Sequence, residues 1–204
     1  MRKTPSLFVR DWDGDRSLVT REVTPEAEWV TAGEGLATKK FDGTCVLIGA
    51  PERAVTAIQQ DTPYWKRYDA KKGKTPPANF VAAQEPDPIT GHWTGWVPIE
   101  HDDPASKWHM DALIRQDISI GEVLDYYQPG TYELCGPKIG GNPEGFESHL
   151  LIKHGDVQYP HFPTTFDGIK AVLAGLNIEG IVWHHPDGRM AKVKKSDFGL
   201  KRKP

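Results

Sequence analysis

Short runs in which apolar and polar positions alternate fill most of this chain, separated by turns rich in glycine, proline and aspartate. Leu7-Phe8-Val9 and Leu18-Val19-Thr20 flank an Asp/Gly-rich stretch, Asp11 to Asp15, and predict a hairpin. Tyr64 to Tyr68, Thr131 to Gly136, His149 to Ile152, Ile178 to Trp183 and Met190 to Lys194 predict further strands, and Trp108 to Ile114, though without a clear period, is read as a strand too. Gly121 to Tyr127 has no clear period. The best helical pattern lies in Thr165 to Leu176, where Phe166, Ile169, Val172, Leu173 and Leu176 make an apolar stripe and Gly175 and Asn177 supply a stop. A shorter helix starts at Thr24-Pro25-Glu26, with Thr24 as N-cap and Pro25 in the first turn, and ends by Gly33. Strands outnumber helices and do not alternate with them, so the pattern predicts an α+β fold with antiparallel sheets.

Two turns stand out because lysines adjoin them. Thr38-Lys39-Lys40-Phe41-Asp42-Gly43-Thr44 precedes the apolar run Cys45 to Ile48 and predicts a hairpin in which Gly43 takes a positive φ. Lys40 would then sit at a rigid strand end, where a lysine can act as a nucleophile if its charge is suppressed. Lys39 is the rival, but it points to the opposite face of a regular strand. The second turn is Asp187-Gly188. A two-residue loop there sets Trp183 against Lys192 and Ile181 against Lys194, so Glu179, Ile181 and Trp183 share a face with both lysines. A slip of one residue would separate them. If Lys40 lies near that face, the two ammonium groups disfavour a third charge, and Glu179 can hold a metal ion against a phosphate.

Composition narrows the classes. With 204 residues, 38% hydrophobic and 26% charged, the chain has the material for one soluble domain, 1–204, with 195–204 as a short basic tail. A net charge of -3 argues against a protein that simply coats nucleic acid, though not against a local basic groove. Cys45 and Cys135 read as buried free thiols of a reducing compartment. Without a signal-peptide pattern or a membrane-length apolar run, the expected location is cytoplasmic, with the nucleus also open. None of the eight histidines has ligand spacing with cysteine, so hydrogen-bonded or solvent-facing roles are expected. Phe80 to Pro104 reads as a long Pro/Gly-rich loop. Trp93 and Trp96 in it, and Trp108 after it, are expected to anchor loops to the core more than to stack on bases. Lys71, Lys72 and Lys74 lie in an exposed loop that could guide a phosphate backbone.

Four motifs in order carry a resemblance. Lys40-Phe41-Asp42-Gly43 is similar to the K-x-D-G motif of covalent nucleotidyltransferases, which include DNA and RNA ligases and capping enzymes. Glu179-Gly180-Ile181-Val182 resembles their E-G-x-V motif, Lys192-Val193-Lys194 their K-x-K motif, and Tyr132-Glu133-Leu134-Cys135-Gly136 the strand-end motif with one acid. Gly95-Trp96-Val97-Pro98, Gly141-Asn142-Pro143, His149 to Ile152 with His154-Gly155, and Glu179 through His184 narrow the resemblance to the small ATP-dependent 5′-to-3′ RNA ligases, a family with a human member. It implies an antiparallel-sheet, ATP-grasp-like nucleotidyltransferase domain without an OB-fold. It implies joining of RNA 5′-phosphate and 3′-hydroxyl ends through lysyl-AMP and adenylylated RNA, with ATP and Mg²⁺ or Mn²⁺.

By motif, Lys40 would be the nucleophile, Lys192 and Lys194 would contact the α-phosphate, Glu179 would bind the metal and Glu133 the ribose. Arg67 would meet the ribose or the RNA end, and Thr38 and Lys39 complete the nucleotide-binding stretch. The alternatives are a DNA nick ligase or other lysine nucleotidyltransferase, and an inert nucleotide- or RNA-end-binding module.

Overall fold

The structure, a computed structural model, describes residues 3–71, 73–88 and 90–202. In chain order the elements are β1 Phe8–Arg10, β2 Val19–Val23, α1 Glu28–Thr31, β3 Leu36–Lys40, β4 Thr44–Ile48 and α2 Ala57–Asp61. Then come β5 Tyr64–Ala70, β6 Val81–Ala82, β7 Trp93–Pro98, α3 Lys107–Ile114, α4 Val123–Tyr126, β8 Gly130–Cys135 and β9 Leu150–Lys153. The chain continues with α5 Phe166–Gly175, β10 Gly180–His184 and β11 Met190–Lys194. Each of the named strand pairs is antiparallel, as the alternating pattern requires. The chain divides into two compact units, one built on Gly43–Lys153 and the other on Thr4–Asp42 with the chain from His154 onward.

The first unit holds a six-stranded sheet in the order β6-β7-β5-β4-β8-β9. Val46, Ile48, Tyr64, Tyr132 and Leu134 project from one face into a core completed by Met110 and Leu113 of α3 and Val123 of α4. Two sequence expectations change here. Trp108 to Ile114 is helical, because Met110, Leu113 and Ala112 bury one side of a turn that begins at Asp103-Pro104, not alternate sides of a strand. Part of Phe80 to Pro104 is sheet: β6 and β7 pair, and Trp96 packs at 1% exposure with Trp65, Leu47 and Val81. Trp96 is thus an anchor, while Trp108 stacks on His149 at 5.0 Å. Lys71 and Lys74 are exposed, and Lys72 lies outside the described residues.

The second unit holds the β1–β2 hairpin and a three-stranded sheet in the order β11-β10-β3. Ala37, Ile181, Trp183, Ala191 and Val193 form its core face, packed with Trp29 of α1 and with Ile169 and Leu173 of α5. Thr165 caps α5 by accepting from the Gly168 amide, whereas Val172 of the expected apolar stripe is exposed. Both sheet edges are covered. Leu7 N donates to Lys192 O at 2.8 Å beside β11, and Lys39 N donates to Val157 O at 2.8 Å beside β3. Residues Lys195–Phe198, the start of the expected basic tail, form a 3-10 turn with Lys195, Asp197 and Phe198 buried.

Both turn expectations are corrected. β3 and β4 do not pair with each other: β3 pairs with β10, and β4 lies between β5 and β8. Gly43 is not among the positive-φ glycines. It is required by close approach, since a Cβ there would stand 2.3 Å from the Leu134 carbonyl oxygen. In the second turn, His185 N donates to Arg189 O and Gly188 has φ +92°, so the loop has three residues, Pro186 to Gly188. The odd count moves the register by one: Val182 opposes Lys192 and Gly180 opposes Lys194.

His109 on α3 yields a stability expectation. Both of its ring nitrogens are buried without a hydrogen-bond partner. Burial first, then the Lys66 ammonium, push its pKa from 6.5 down to about 4, against a smaller opposing pull from Asp103. The unfolded chain therefore binds a proton more readily than the folded one, and stability falls as pH drops from 6.5 toward 4. At about 1.4 kcal/mol per tenfold change in proton affinity, that window is worth on the order of 3 kcal/mol. His109→Leu is expected to flatten the pH dependence of urea unfolding there, and an unchanged slope would contradict it.

Candidate active site

The three-stranded sheet of the second unit collects the residues with chemistry on its non-core face. Two cross-strand rows define that face: Lys40–Gly180–Lys194 and Thr38–Val182–Lys192. Ile181 and Trp183, expected beside the lysines, point into the core with Val193 and Ala191. A side chain alternates faces with every residue, so the one-residue change of register is what exposes Lys192 and Lys194.

Glu179 stands just before β10 and is not bound to the strand's alternation. Its two carboxylate oxygens take different lysines. Oε2 accepts from Lys40 Nζ, and Oε1 accepts from Lys194 Nζ at 2.6 Å. Gly180 lies between the two lysines in the sheet, and a Cβ on it would sit 2.0 Å from the Val193 carbonyl oxygen. The charge nearest Lys40 is thus negative. The acid and lysines expected to share a face do meet, and with Lys40 they form a lysine–carboxylate–lysine bridge.

The electrostatics follow from this geometry. Burial is the largest influence on Glu179 and raises its carboxyl, but Lys40 and Lys194 together outweigh burial and hold it below the usual range. Lys194 moves the other way: burial lowers it, and hydrogen bonding and attraction from Glu179, with Asp197 and Asp42 behind, raise it overall. Asp42 is raised, by burial and then by the Glu179 charge, with Arg202, Lys40 and Lys194 opposing. The Arg202 guanidinium reaches Asp42 Oδ2 and the Asn177 carbonyl, each at 3.4 Å.

Asp42 and Arg202 are the residues the sequence reading passed over. Asp42 stands in the K-x-D-G motif and the Asp-Gly turn but carries no role of its own there, and Arg202 is only one base in a basic stretch.

Thr38 is buried, and its hydroxyl donates to the Val182 carbonyl at 3.0 Å, tying β3 to β10. Lys39 lies on the opposite face of the sheet from those two rows, paired with Ile181, with its ammonium 4.2 Å from the Phe41 ring centroid. Glu133 and Arg67 belong to the first unit and share one face of its sheet. Glu133 opposes Cys45 and accepts from the Gly43 amide at 3.1 Å. Arg67 opposes Trp96, lies 5.7 Å from its ring centroid, and donates to Asp69 at 3.4 Å. Neither Cys45 nor Cys135 forms a disulfide; Cys135 is buried, as expected, while Cys45 is only half-buried. His149 Nδ1 donates to Asp111 Oδ2, and His185 is held by Glu34 and Asp187, as expected of hydrogen-bonded histidines, whereas buried His109 departs from that expectation.

A carboxylate held ionised between two cations contributes stability that is lost as pH falls through its lowered pKa, a window below the ordinary glutamate value of 4.5. Glu179→Gln is expected to cost about 1–3 kcal/mol at pH 7, between exposed and fully buried pairs. It should also remove pH dependence below 4.5 while leaving the His109 window intact. Denaturant titrations of both variants from pH 3 to 8 test this, and a loss confined to the window above 4.5 would contradict it.

No helix among the described residues is long and apolar enough to cross a membrane. Residues 76–203 match the family described as RNA ligase 1. The matched stretch includes Glu133, Glu179, Lys192, Lys194 and Arg202 and begins after Lys40 and Arg67. RNA ligase 1 of Pongo abelii and that of Rattus norvegicus are each 26% identical to this chain, over 98% of it and 81% of theirs. RNA ligase 1 of Danio rerio is 24% identical over the same shares. A match across more than half of its residues, with relatives aligned over nearly all of it, shows that the chain belongs to the RNA ligase 1 family.

Proposed function

We propose that this protein is an ATP-dependent RNA ligase with a nucleotidyltransferase, ATP-grasp-like fold, acting through adenylate carried on Lys40. The observation that carries this reading is the bridge from Lys40 through Glu179 to Lys194 on one sheet face. It unites three of the four motifs of the resemblance in a chain of this family.

In the proposed reaction the Lys40 amine, having given up a proton, attacks the α-phosphorus of ATP. An N–P bond forms, the P–O bond to pyrophosphate breaks, and pyrophosphate leaves. Lys192 and Lys194 balance the negative charge that builds on the α-phosphate oxygens, the kind of fixed countercharge that counts most in the transition state. The adenylate then passes from Lys40 to an RNA 5′-phosphate. The lysine amine is restored, and a 3′-hydroxyl displaces AMP to join the strands. Thr38 lies along the nucleotide in this reading and Lys39 contributes through its backbone alone, since its side chain is on the other face, while Glu133 and Arg67 take the ribose and RNA-end contacts their motifs imply.

Glu179 fits a hard divalent cation: its oxygens are the preferred donor type and its neighbours keep it ionised. Mg²⁺ or Mn²⁺ held by Glu179 would supply positive charge against that developing on the phosphate. Because both carboxylate oxygens hold lysines, a divalent ion would have to compete with the two ammonium groups for Glu179.

The test is incubation with α-labelled ATP and Mg²⁺. A covalent label is expected on the protein, abolished by Lys40→Ala and kept by Lys39→Ala. Lys194→Ala is expected to slow labelling on the order of 10²-fold. Label that survives Lys40→Ala, or its absence from the wild type, overturns the mechanism. Joining of 5′-phosphorylated RNA is expected, and joining of DNA 3′-ends alone would assign the enzyme to the DNA nick ligases.

A further inference from the structure

We propose that Arg202 is a positioning residue for the Lys40–Glu179 pair: its guanidinium ties the chain just after the lysine to the chain just before the acid. The inference rests on the proposed function for its consequence, but its geometric part stands without it.

Arg202 is 17% exposed at its side chain, low for an arginine, and Asp42 is half exposed at 42%. One guanidinium nitrogen reaches Asp42 Oδ2, two residues after Lys40. The other reaches the Asn177 carbonyl, two residues before Glu179. Lys40 and Glu179 lie at the ends of two different strands, β3 and β10, and a single side chain spans both ends. Arginine suits this task. Its planar, always-charged fork presents several donors in fixed directions, which a lysine ammonium does not.

The same stretch of chain holds the connector before Glu179 a second time. Lys195 is buried, and its ammonium donates to the Leu176 carbonyl at 2.6 Å. Leu176 and Asn177 follow α5 directly, so two cations satisfy carbonyls at the negative end of that helix. The segment from Lys195 to Arg202 therefore continues from Lys194 of the bridge and returns to brace the other two members. Asp197 fixes the start of this return. It accepts from the Lys194 amide at 2.7 Å and pairs with Arg10 at 3.0 Å.

Reactive geometry is unforgiving: a displacement of about 1 Å can cost on the order of 10²-fold in rate. If Arg202 sets the approach of Lys40 to Glu179, its loss slows the adenylylation step and does not weaken ATP binding to the same degree.

The experiment compares wild type with Arg202→Ala and Arg202→Lys in single-turnover labelling with α-labelled ATP. The rate at saturating ATP is expected to fall about tenfold or more in Arg202→Ala, with the half-saturating ATP concentration changed less than about threefold. Arg202→Lys, which keeps the charge and loses the fork, should recover part of that rate. Arg202→Ala and Asp42→Asn combined should cost much less than the product of their separate effects, because they share one contact. Arg21→Ala, which breaks the exposed pair to Asp167, is the control and should label at the wild-type rate.

A purely structural role predicts a smaller labelled fraction with an unchanged rate per labelled molecule. That result, or wild-type rates in Arg202→Ala, overturns the inference and leaves the proposed function untouched. The second readout needs no reaction. The side-chain nitrogen resonance of Lys40 in lysine-labelled protein should move in Arg202→Ala and stay in place in Arg21→Ala, and an unmoved resonance also overturns the inference. Should the wild type itself fail to label, the proposed function falls, and the Lys40 resonance still decides whether Arg202 positions the pair.

Discussion

The lysine–carboxylate–lysine bridge depends on a glycine. Gly180 is the middle residue of the row that sets Lys40 on one side and Lys194 on the other. A methyl group there would stand 2.0 Å from the Val193 carbonyl oxygen, far inside contact distance, so β11 would have to move away. With glycine the two outer strands keep their spacing about β10, and a carboxylate entering from Glu179 can meet both ammonium groups. Charge then holds together what sterics permits. Burial alone disfavours an ionised Glu179, and two cations at hydrogen-bond distance reverse that preference.

The second constraint is register. Lys192 and Lys194 face away from the core only because Ala191 and Val193 face into it, opposite Trp183 and Ile181. Burying those four side chains is worth far more than any surface ion pair, so hydrophobic burial chooses the register and the charges follow. The alternation Ala191-Lys192-Val193-Lys194 was legible in the sequence and would have corrected the loop. Reading Asp187-Gly188 as a two-residue turn set a parity that the apolar pattern contradicts. The three-residue loop, with Gly188 in the left-handed region, restores it. The expected meeting of Glu179 with a lysine of Lys192-Val193-Lys194 is present, though by another route, because Glu179 precedes the strand and escapes its alternation.

Elsewhere the sequence was informative where pattern and environment agree. The β1–β2 hairpin, β5, β8, β10, β11 and α5 all lie near their expected positions, since each has a simple period and a clear stop. Trp108 to Ile114 misled because its periodicity is unclear, with neither a full helical stripe nor a clean strand alternation. The helix is set instead by Pro104, by Leu113 three residues after Met110, and by the core they enter. Asp42 and Arg202 could not be read together at all. They are 160 residues apart, and although Asp42 lies in a motif and a turn pattern, nothing local ties it to Arg202.

The two motif glycines bear on how such a site is encoded. Gly43 and Gly180 both follow an acid, Asp42 and Glu179, and the usual reason for glycine after an acid is a turn with positive φ. Neither is among the positive-φ glycines. Each is demanded by a carbonyl oxygen of a neighbouring strand, Leu134 for Gly43 and Val193 for Gly180. In the first unit the Gly43 amide donates to Glu133, and in the second Gly180 separates Lys40 from Lys194. The glycines are thus packing requirements that let backbone come close, and the acids beside them have separate work. Asp42 meets Arg202, and Glu179 joins the lysines. A substitution at either glycine would therefore act through strand spacing before it acted through charge. This is why a motif that looks like a turn in the sequence functions in the fold as a spacer.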